Sequence, residues 1–488
     1  MTQVDTTSKQ EYSLAYLSAT ETLAKFRALE ISPIEVLETQ IQRIEQRNGD
    51  RETGINAFTE TLFDSARTKA RLATEQYVQL ARDCETPPAL LGLTVATKEK
   101  HGIAGLKLEQ GLAAHRGRIA DDDHPVVERI NAAGGIIHAR TTSPEFSCAT
   151  TTHSPMWGIT RNPWNTKTSP GGSSGGSGAA LAAGFTTLAT ASDIAGSTRI
   201  PAGFTGTVGY KAPYGRIPGL GALAADWYRG DGPMGRTVAD TALLAAVMSG
   251  RHLADHRSWG RNGLNPLLNG DVSGLRIGLS LTLGDYPVSN EIQDNTIQVA
   301  KALEAAGATV VPVELPWNTS RITETTFAHF GHILGPAMRK ETEGFESELA
   351  RYTEQFIADA TAAATRHTLV DSLEMDRQLQ AELASAMEGL DALLCPTSAV
   401  ASLDAAEDYL DGLTIDGKHL RHYWEGHMTS PFNVANRSPV VAVPSGLSSE
   451  GVPTGVQVVG HPFDESMAFR VAAAVEKHAP GPTFQIFE

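Results

Sequence analysis

Two serines crowded by glycines, and one lysine upstream of them, are the residues whose types and spacing could do acyl-transfer chemistry. Ser173 lies in Ser169-Pro170-Gly171-Gly172-Ser173-Ser174-Gly175-Gly176-Ser177-Gly178. Ser197 follows 24 positions later, in Asp193-Ile194-Ala195-Gly196-Ser197-Thr198-Arg199-Ile200-Pro201, and Lys98 precedes Ser173 by 75. Glycines around a serine permit φ > 0 and other strained backbone, and let a substrate approach main-chain N–H groups. That is how a nucleophile is shown to a carbonyl beside an oxyanion hole. Successive N–H groups of Ile194, Ala195, Gly196 and Ser197 can converge as an anion-binding nest, suited to a tetrahedral acyl intermediate.

Lys98 closes the apolar run Leu91–Thr97, which places it at a strand end, pointing inward. A solvated lysine has a pKa near 10.4 and is no base at neutral pH. Lowering it by about 3 units takes about 4 kcal/mol, which burial can supply. The bland alternatives are a surface lysine and, for Gly171–Gly178, a tight loop. A P-loop is excluded because no lysine follows Ser177-Gly178, and no Gly-x-Gly-x-x-Gly follows a strand. Gly171-Gly172-Ser173-Ser174-Gly175 does match the Gly-x-Ser-x-Gly nucleophile elbow, so Ser173 as nucleophile of an α/β-hydrolase-like esterase stays open. No Ser-x-x-Lys occurs. The pairs His252/His256, His329/His332 and His419/His422 lack carboxylate or cysteine partners in a tight motif, so no metal and no cofactor is expected.

The elements that must position these groups alternate between helical and strand patterns. Ser32-Pro33-Ile34-Glu35 reads as an N-cap, a proline at N1 and a capping-box glutamate, and Ile34, Leu37, Ile41 and Ile44 mark one helix face that ends at Asn48-Gly49. Strands are expected at Leu91–Thr97, Gly135–Arg140, Leu275–Leu279, Thr309–Val313, Ala392–Cys395, Val440–Val443 and Val456–Val459. Helices are expected at Glu291–Ala306 and around Met467, Val471 and Val475. The pattern predicts an α/β fold: a central mixed, mostly parallel twisted sheet covered by helices on both faces. One domain is expected over 1–488, with its core at about 20–480, a flexible segment 1–12, and a substrate-side helical subregion at 315–390.

A formal net charge of −16 argues against nucleic acid and anionic membrane surfaces as partners. Three scattered cysteines, Cys84, Cys148 and Cys395, suggest a reducing compartment rather than a disulfide framework. With no basic start, no apolar leader and no apolar run of about 18 residues, a cytoplasmic protein is expected.

Lys98, Gly171–Ser177 and Asp193–Pro201 resemble the amidase signature family of serine hydrolases. The resemblance extends through Ser143-Pro144-Glu145-Phe146, Gly158–Asn165, Gly209–Arg216, Gly232–Asp240, Pro396-Thr397, Pro431-Phe432-Asn433 and Gly455–Gly460, covering roughly residues 20–480. It implies a Ser–Ser–Lys triad acting on an amide. Ser197 would be the nucleophile, Ser173 the bridge after a cis Gly172–Ser173 bond, and neutral Lys98 the base and then the acid. N–H groups from Ile194 to Ser197 would hold the oxyanion, with Ser147 beside the substrate, while Ser174 and Asp193 support the loop. Two departures stand out. Ala195 replaces the first glycine of the family's Gly-Gly-Ser, and Glu99 replaces the aspartate common after the lysine.

The leading expectation is an amidase cleaving a small-molecule amide. The alternative class is an amidotransferase component that releases ammonia from glutamine within a complex. A catalytically dead binding protein is disfavoured because all three triad positions are filled. The resemblance also implies a homodimer. The acyl pocket is expected around Phe146–Thr152, Met156-Trp157 and the 315–390 region, with Phe327, Phe330 and Tyr423 as candidates whose composition favours core over pocket.

Overall fold

The computed structural model describes residues 14–261 and 263–484, so the N-terminal segment 1–12 lies outside the described residues. Strand signals in the sequence become fifteen strands: β1 Phe58–Thr61, β2 Thr94–Lys98, β3 Ile136–Thr141, β4 His153–Ser154, β5 Gly158–Ile159, β6 Leu188–Asp193, β7 Val208–Lys211, β8 Gly230–Gly235, β9 Arg276–Leu279, β10 Thr309–Pro312, β11 Ala392–Pro396, β12 Leu413–Ile415, β13 Lys418–Leu420, β14 Val440–Leu447 and β15 Pro453–Gly460. Eleven of them form one sheet in the order β1-β3-β2-β6-β8-β7-β14-β15-β11-β9-β10. β4/β5 and β12/β13 are separate pairs.

The sheet is mixed and covered on both faces, as the sequence pattern predicts, but antiparallel pairing is the commoner kind. Four neighbour pairs are parallel and six antiparallel. The reason is insertion. β6, the helix Arg199–Thr205 and β7 form a strand–helix–strand unit with parallel strands. β8 then enters between them and pairs antiparallel with both. Alternating helix and strand signals specify orientation, not which strands become neighbours.

Side-chain alternation gives the two faces different textures. Val95, Leu188, Val441 and Val443 point to one face and pack with Val299, Leu244 and Val471 of the helices Asn290–Ala305, Val238–Met248 and Glu465–His478. Ala96, Ala139, Ala189, Ala191 and Ala442 point to the other, against Ala179 and Ala180 of the helix Gly175–Ala182 and Ala202 of the helix Arg199–Thr205. Methyl-sized contacts let these two helices lie close to the sheet, and Ser173 and Ser197 sit just before their starts. The helix Pro33–Arg47 begins with the expected Ser32/Glu35 capping box.

Residues 315–390 are helical, with helices Thr319–His332, Leu334–Glu341, Arg351–Arg366 and Leu369–Ala386. They share a second core with Ile194, Ala195, Phe204 and Tyr228. Among the described residues no helix is long and apolar enough to cross a membrane, and the three cysteines are free.

Candidate active site

Lys98 is the last residue of β2. The two-residue period that turns Ala96 toward the alanine-rich face turns Lys98 the same way, beneath the start of the helix Gly175–Ala182. Its side chain is fully buried. Nζ lies 2.7 Å from Ser173 Oγ, 3.0 Å from Ser174 Oγ and 3.1 Å from Ser192 Oγ. No carboxylate pairs with it among the described residues. Burial pushes its pKa well below the usual lysine value, and the nearby charges of Lys100 and Arg229 push the same way, against Asp231 and Asp193.

Ser173 is fully buried and follows a cis Gly172–Ser173 bond. The loop is glycine-rich for lack of space. A Cβ at Gly172 would lie 2.6 Å from the Ala149 carbonyl oxygen, and one at Gly176 2.4 Å from Thr142 Oγ1 and 2.6 Å from its main-chain nitrogen. The Ser174 N–H donates to the Ser197 carbonyl at 3.1 Å, tying the two serine loops together.

Ser197 is 8% exposed, and its hydroxyl has no hydrogen-bond partner among the described residues. With Ser173, Ser192, Asp193, Ile194, Ser147, Phe146, Lys100, Gln110, Arg229, Leu223 and Leu334 it lines a cavity of about 40 Å³. Phe146 and Ser147 hold consecutive left-handed backbone, φ 50° and 59°, a conformation that costs on the order of 1–3 kcal/mol per non-glycine residue and persists only where the surroundings enforce it. Buried Glu145 supplies that support: its carboxylate accepts from the Ala350 N–H at 3.0 Å and the Thr353 hydroxyl at 2.6 Å.

Asp193 ends β6 and organises the turn that presents Ser197. Its carboxylate accepts from the Gly196 N–H (2.7 Å), the Thr198 N–H (3.2 Å), the Arg199 guanidinium (2.9 and 3.0 Å) and Asn433 Nδ2 (2.9 Å). Burial alone would raise its pKa, but the Arg199 charge and these bonds outweigh burial and hold it at about 2. The converging nest expected from Ile194 to Ser197 is therefore incomplete, because the Gly196 N–H is committed to Asp193. The glycine itself is required: Gly196 has φ +130°, and a Cβ there would lie 2.0 Å from Thr429 Oγ1. Ala195 stays out of the left-handed region, so its methyl brings no backbone strain. Glu99 uses its length to accept from the N–H groups of Glu109 (2.6 Å) and Gln110 (2.9 Å), which fixes the loop that brings Gln110 to the cavity.

The nucleophile-elbow reading of Ser173 lacks its structural context. That motif needs a strand running into the serine, and no strand lies between β5 and Ser173. Phe327, Phe330 and Tyr423 belong to a buried aromatic cluster, with Phe327 and Phe330 centroids 5.8 Å apart, and do not line the cavity. Met156 and Trp157 line a different, larger cavity.

Sequence reasoning missed Lys100, Ser192, Gln110 and Arg229. It also missed a buried group, His101, His124 and Asp231, whose possible ligand atoms lie within 4.8 Å of one another. Hydrogen bonds tie that group to the surrounding chain. His124 Nδ1 accepts from the Val126 N–H (3.2 Å). Thr190 Oγ1 accepts from the Lys98 N–H (2.9 Å) and lies 2.8 Å from His101 Nδ1. The Nε2 atoms of His101 and His124 face Asp231 at 2.9 and 3.4 Å. Lys100 completes the set, 3.3 Å from the same carboxylate.

Fold and cleft define the class first: an α/β protein whose sheet carries a buried lysine against two glycine-bound serines. The Amidase family profile matches residues 35–469, and the chain belongs to that family, the amidase signature enzymes. It is 31% identical over 484 residues to an acylamidase of Rhodococcus erythropolis, covering 96% of this chain and 97% of that one. It is 30% identical over 473 residues to a glutamyl-tRNA(Gln) amidotransferase subunit of Geobacillus thermodenitrificans, covering 92% and 94%. Among solved structures, a bacterial aryl acylamidase of the amidase signature family superposes with a TM-score of 0.85 at 27% identity, covering 95% of this chain and 96% of that one.

Proposed function

We propose that this enzyme hydrolyses a carboxylic-acid amide to carboxylate and amine through an acyl-enzyme on Ser197. The observation that carries the reading is Lys98, a fully buried amine without a carboxylate partner, 2.7 Å from Ser173 Oγ. Burial disfavours the charged form of such an amine, which suits it to accept a proton.

In the forward half-reaction the Ser197 Oγ–C bond forms while its proton passes to Ser173 Oγ, whose own proton passes to Lys98 Nζ. Catalytic hydrogen bonds often close only around bound substrate, and the free Ser197 hydroxyl fits that behaviour. The oxyanion is received by the N–H groups of Ile194 and Ala195, the Gly196 N–H being engaged. Collapse breaks the C–N bond, and the proton returns from Lys98 through Ser173 to the leaving nitrogen. Water then attacks the acyl ester by the same relay, releasing carboxylate and restoring Ser197. Asp193 and Ser174 hold the two loops in register, and no cofactor enters any step.

The test is intact-mass spectrometry after incubation with a fluorophosphonate. A single adduct that is lost in Ser197→Ala and only slowed in Ser173→Ala supports the assignment. An adduct that persists in Ser197→Ala refutes it. A second reading, release of ammonia from glutamine as one component of a complex, draws on the similarity to the glutamyl-tRNA(Gln) amidotransferase. Turnover of simple amides by the purified chain alone would exclude dependence on partners.

A further inference from the structure

We infer that the amide cleaved here carries a carboxylate a few bonds from its scissile carbonyl, and that Arg229, seconded by Lys100, receives it. This rests on the hydrolase reading above and adds the substrate class to it.

The first ground is a charge imbalance in the cavity wall. Lys100 and Arg229 are its cations. Of the nearby acids, Asp193 is spent on Arg199. Asp231 pairs with Lys100, while His101 and His124 beside it are kept neutral by burial. Arg229 is the cation of this wall without a carboxylate partner among the described residues.

Arg229 has no ion-pair partner among the described residues, and its Nε is buried without a hydrogen bond. A guanidinium offers five donors in a rigid fork and is costly to desolvate unpaired. Orphaned buried donors are rare in folded chains and call for a cause. A carboxylate is the group whose geometry matches the fork.

The loop that carries Arg229 is held from several sides while its side chain is left free. The Arg229 N–H donates to the Asp226 carbonyl at 3.1 Å. The Asp226 carboxylate accepts from the Tyr228 N–H (3.0 Å) and from His329 Nε2 (2.7 Å). The Tyr228 ring stacks on His329 at 3.7 Å, and its hydroxyl donates to Asp376, to which Trp227 Nε1 also donates at 3.1 Å. Asn433 Nδ2, which also bonds Asp193, donates to the Tyr228 carbonyl at 3.0 Å. The same asparagine therefore ties the arginine loop to the Ser197 turn. Such preorganisation suits a residue that must meet a ligand at a set distance from the nucleophile.

The shared cavity brings the two residues together. Arg229 and Ser197 line the same cavity of about 40 Å³. An anion that reaches Arg229 while its amide carbonyl reaches Ser197 must belong to a short molecule, either the monoamide of a small dicarboxylic acid or an N-acyl amino acid.

The experiment compares charged and neutral partners. Succinamate is set against methyl succinamate by ammonia release, and N-acetylglycine against N-propylacetamide by acetate release, in wild type, Arg229→Gln, Arg229→Lys and Lys100→Gln. Wild type is expected to prefer the charged member of one pair by at least 10-fold in kcat/KM. The pair that shows the preference says whether the carboxylate rides on the acyl or the amine side. Arg229→Gln should shrink that preference by about 10- to 100-fold, chiefly through KM, with Arg229→Lys intermediate and Lys100→Gln milder. Equal losses for charged and neutral partners would overturn the inference and make Arg229 a transition-state donor. Absence of any preference would overturn it too, leaving the hydrolase reading intact. If no amide turns over, that reading fails instead, and calorimetric titration of Ser197→Ala with succinamate and N-acetylglycine still decides. Binding that is lost in Ser197→Ala/Arg229→Gln upholds the inference, and no binding overturns it.

Discussion

Replacing Lys98 by methionine removes the amine with little change in length, and the structure fixes two separate consequences. The first is kinetic. A positioned general base is worth about 10²–10⁴ in rate, or about 3–5 kcal/mol of barrier, so kcat/KM should fall by that factor and the acid limb of the wild-type pH profile should vanish. The second concerns stability and runs opposite to intuition. Above the unfolded lysine value, near 10.4, the amine is neutral in both states and its burial costs nothing through protonation. As pH falls below that value, the unfolded chain takes up a proton that the folded chain refuses. Wild type then loses about 1.4 kcal/mol per pH unit until the depressed folded value is reached. Lys98→Met has no such term. Against it stand the hydroxyls of Ser173, Ser174 and Ser192, each losing a partner worth roughly 1 kcal/mol. That second quantity does not depend on pH. Denaturant unfolding at pH 7.0 and 9.5 should therefore show Lys98→Met gaining on wild type at the lower pH. A variant that loses ground at pH 7.0, or keeps activity within 10-fold, would mean that Lys98 is charged, and the proton relay would be wrong.

Asp193→Asn leaves buried Arg199 without its counter-ion and should cost about 3–5 kcal/mol by denaturant unfolding. Because the folded pKa of Asp193 is about 2, its contribution is complete above about pH 4 and fades as pH falls toward 2. The wild-type advantage over Asp193→Asn should shrink across that window in acid titrations followed by circular dichroism. Gly176→Ala drives a Cβ into the Thr142 backbone, so about 1–3 kcal/mol should be lost together with fluorophosphonate reactivity, as the helix lifts and moves Ser173 off Lys98. Ala195→Gly should change kcat/KM less than 10-fold, since that position is not left-handed, whereas Gly196→Ala should abolish labelling. Glu145→Ala strands the Ala350 N–H and the Thr353 hydroxyl, which predicts about 1–3 kcal/mol of lost stability and a raised KM, read by thermal unfolding and steady-state kinetics.

Chemistry that is local in the chain could be read from the sequence. An apolar run that ends in lysine does become a buried strand with its lysine inside, and the glycines around Ser173 do mark places where a side chain will not fit. Strand limits fall within a few residues of expectation: Leu91–Thr97 against Thr94–Lys98, and Ala392–Cys395 against Ala392–Pro396. Facts created by pairing distant segments were out of reach. Nothing near Val208 says that β8 will enter between β6 and β7. Arg229 looks like any loop arginine until Asp226, His329 and Asp376 fix the chain around it, and His329 and Asp376 come from two helices far along the chain. The Gly196 N–H looked free because the sequence shows that Asp193 is near but not that its carboxylate folds back over the turn. By residue type Phe327 and Phe330 suit a core first and a pocket second, and only the assembled cluster decides between them.

The contrast between the two faces of the sheet bears on how such a molecule can change over generations. At the start of the helix Gly175–Ala182, a Cβ added at Gly175 or Gly176 would collide with Thr152 or Thr142, so the spacing of Lys98, Ser173 and Ser197 tolerates little drift. The helical layer of residues 315–390 is built instead from large rings and aliphatic chains, which can exchange volume with one another and still pack. Its Leu334 reaches the cavity wall, and its Ala350 and Thr353 hold the turn that carries Ser147. New preferences among substrates can therefore be acquired by rewriting that layer, while the seam that sets the reaction geometry is inherited unchanged.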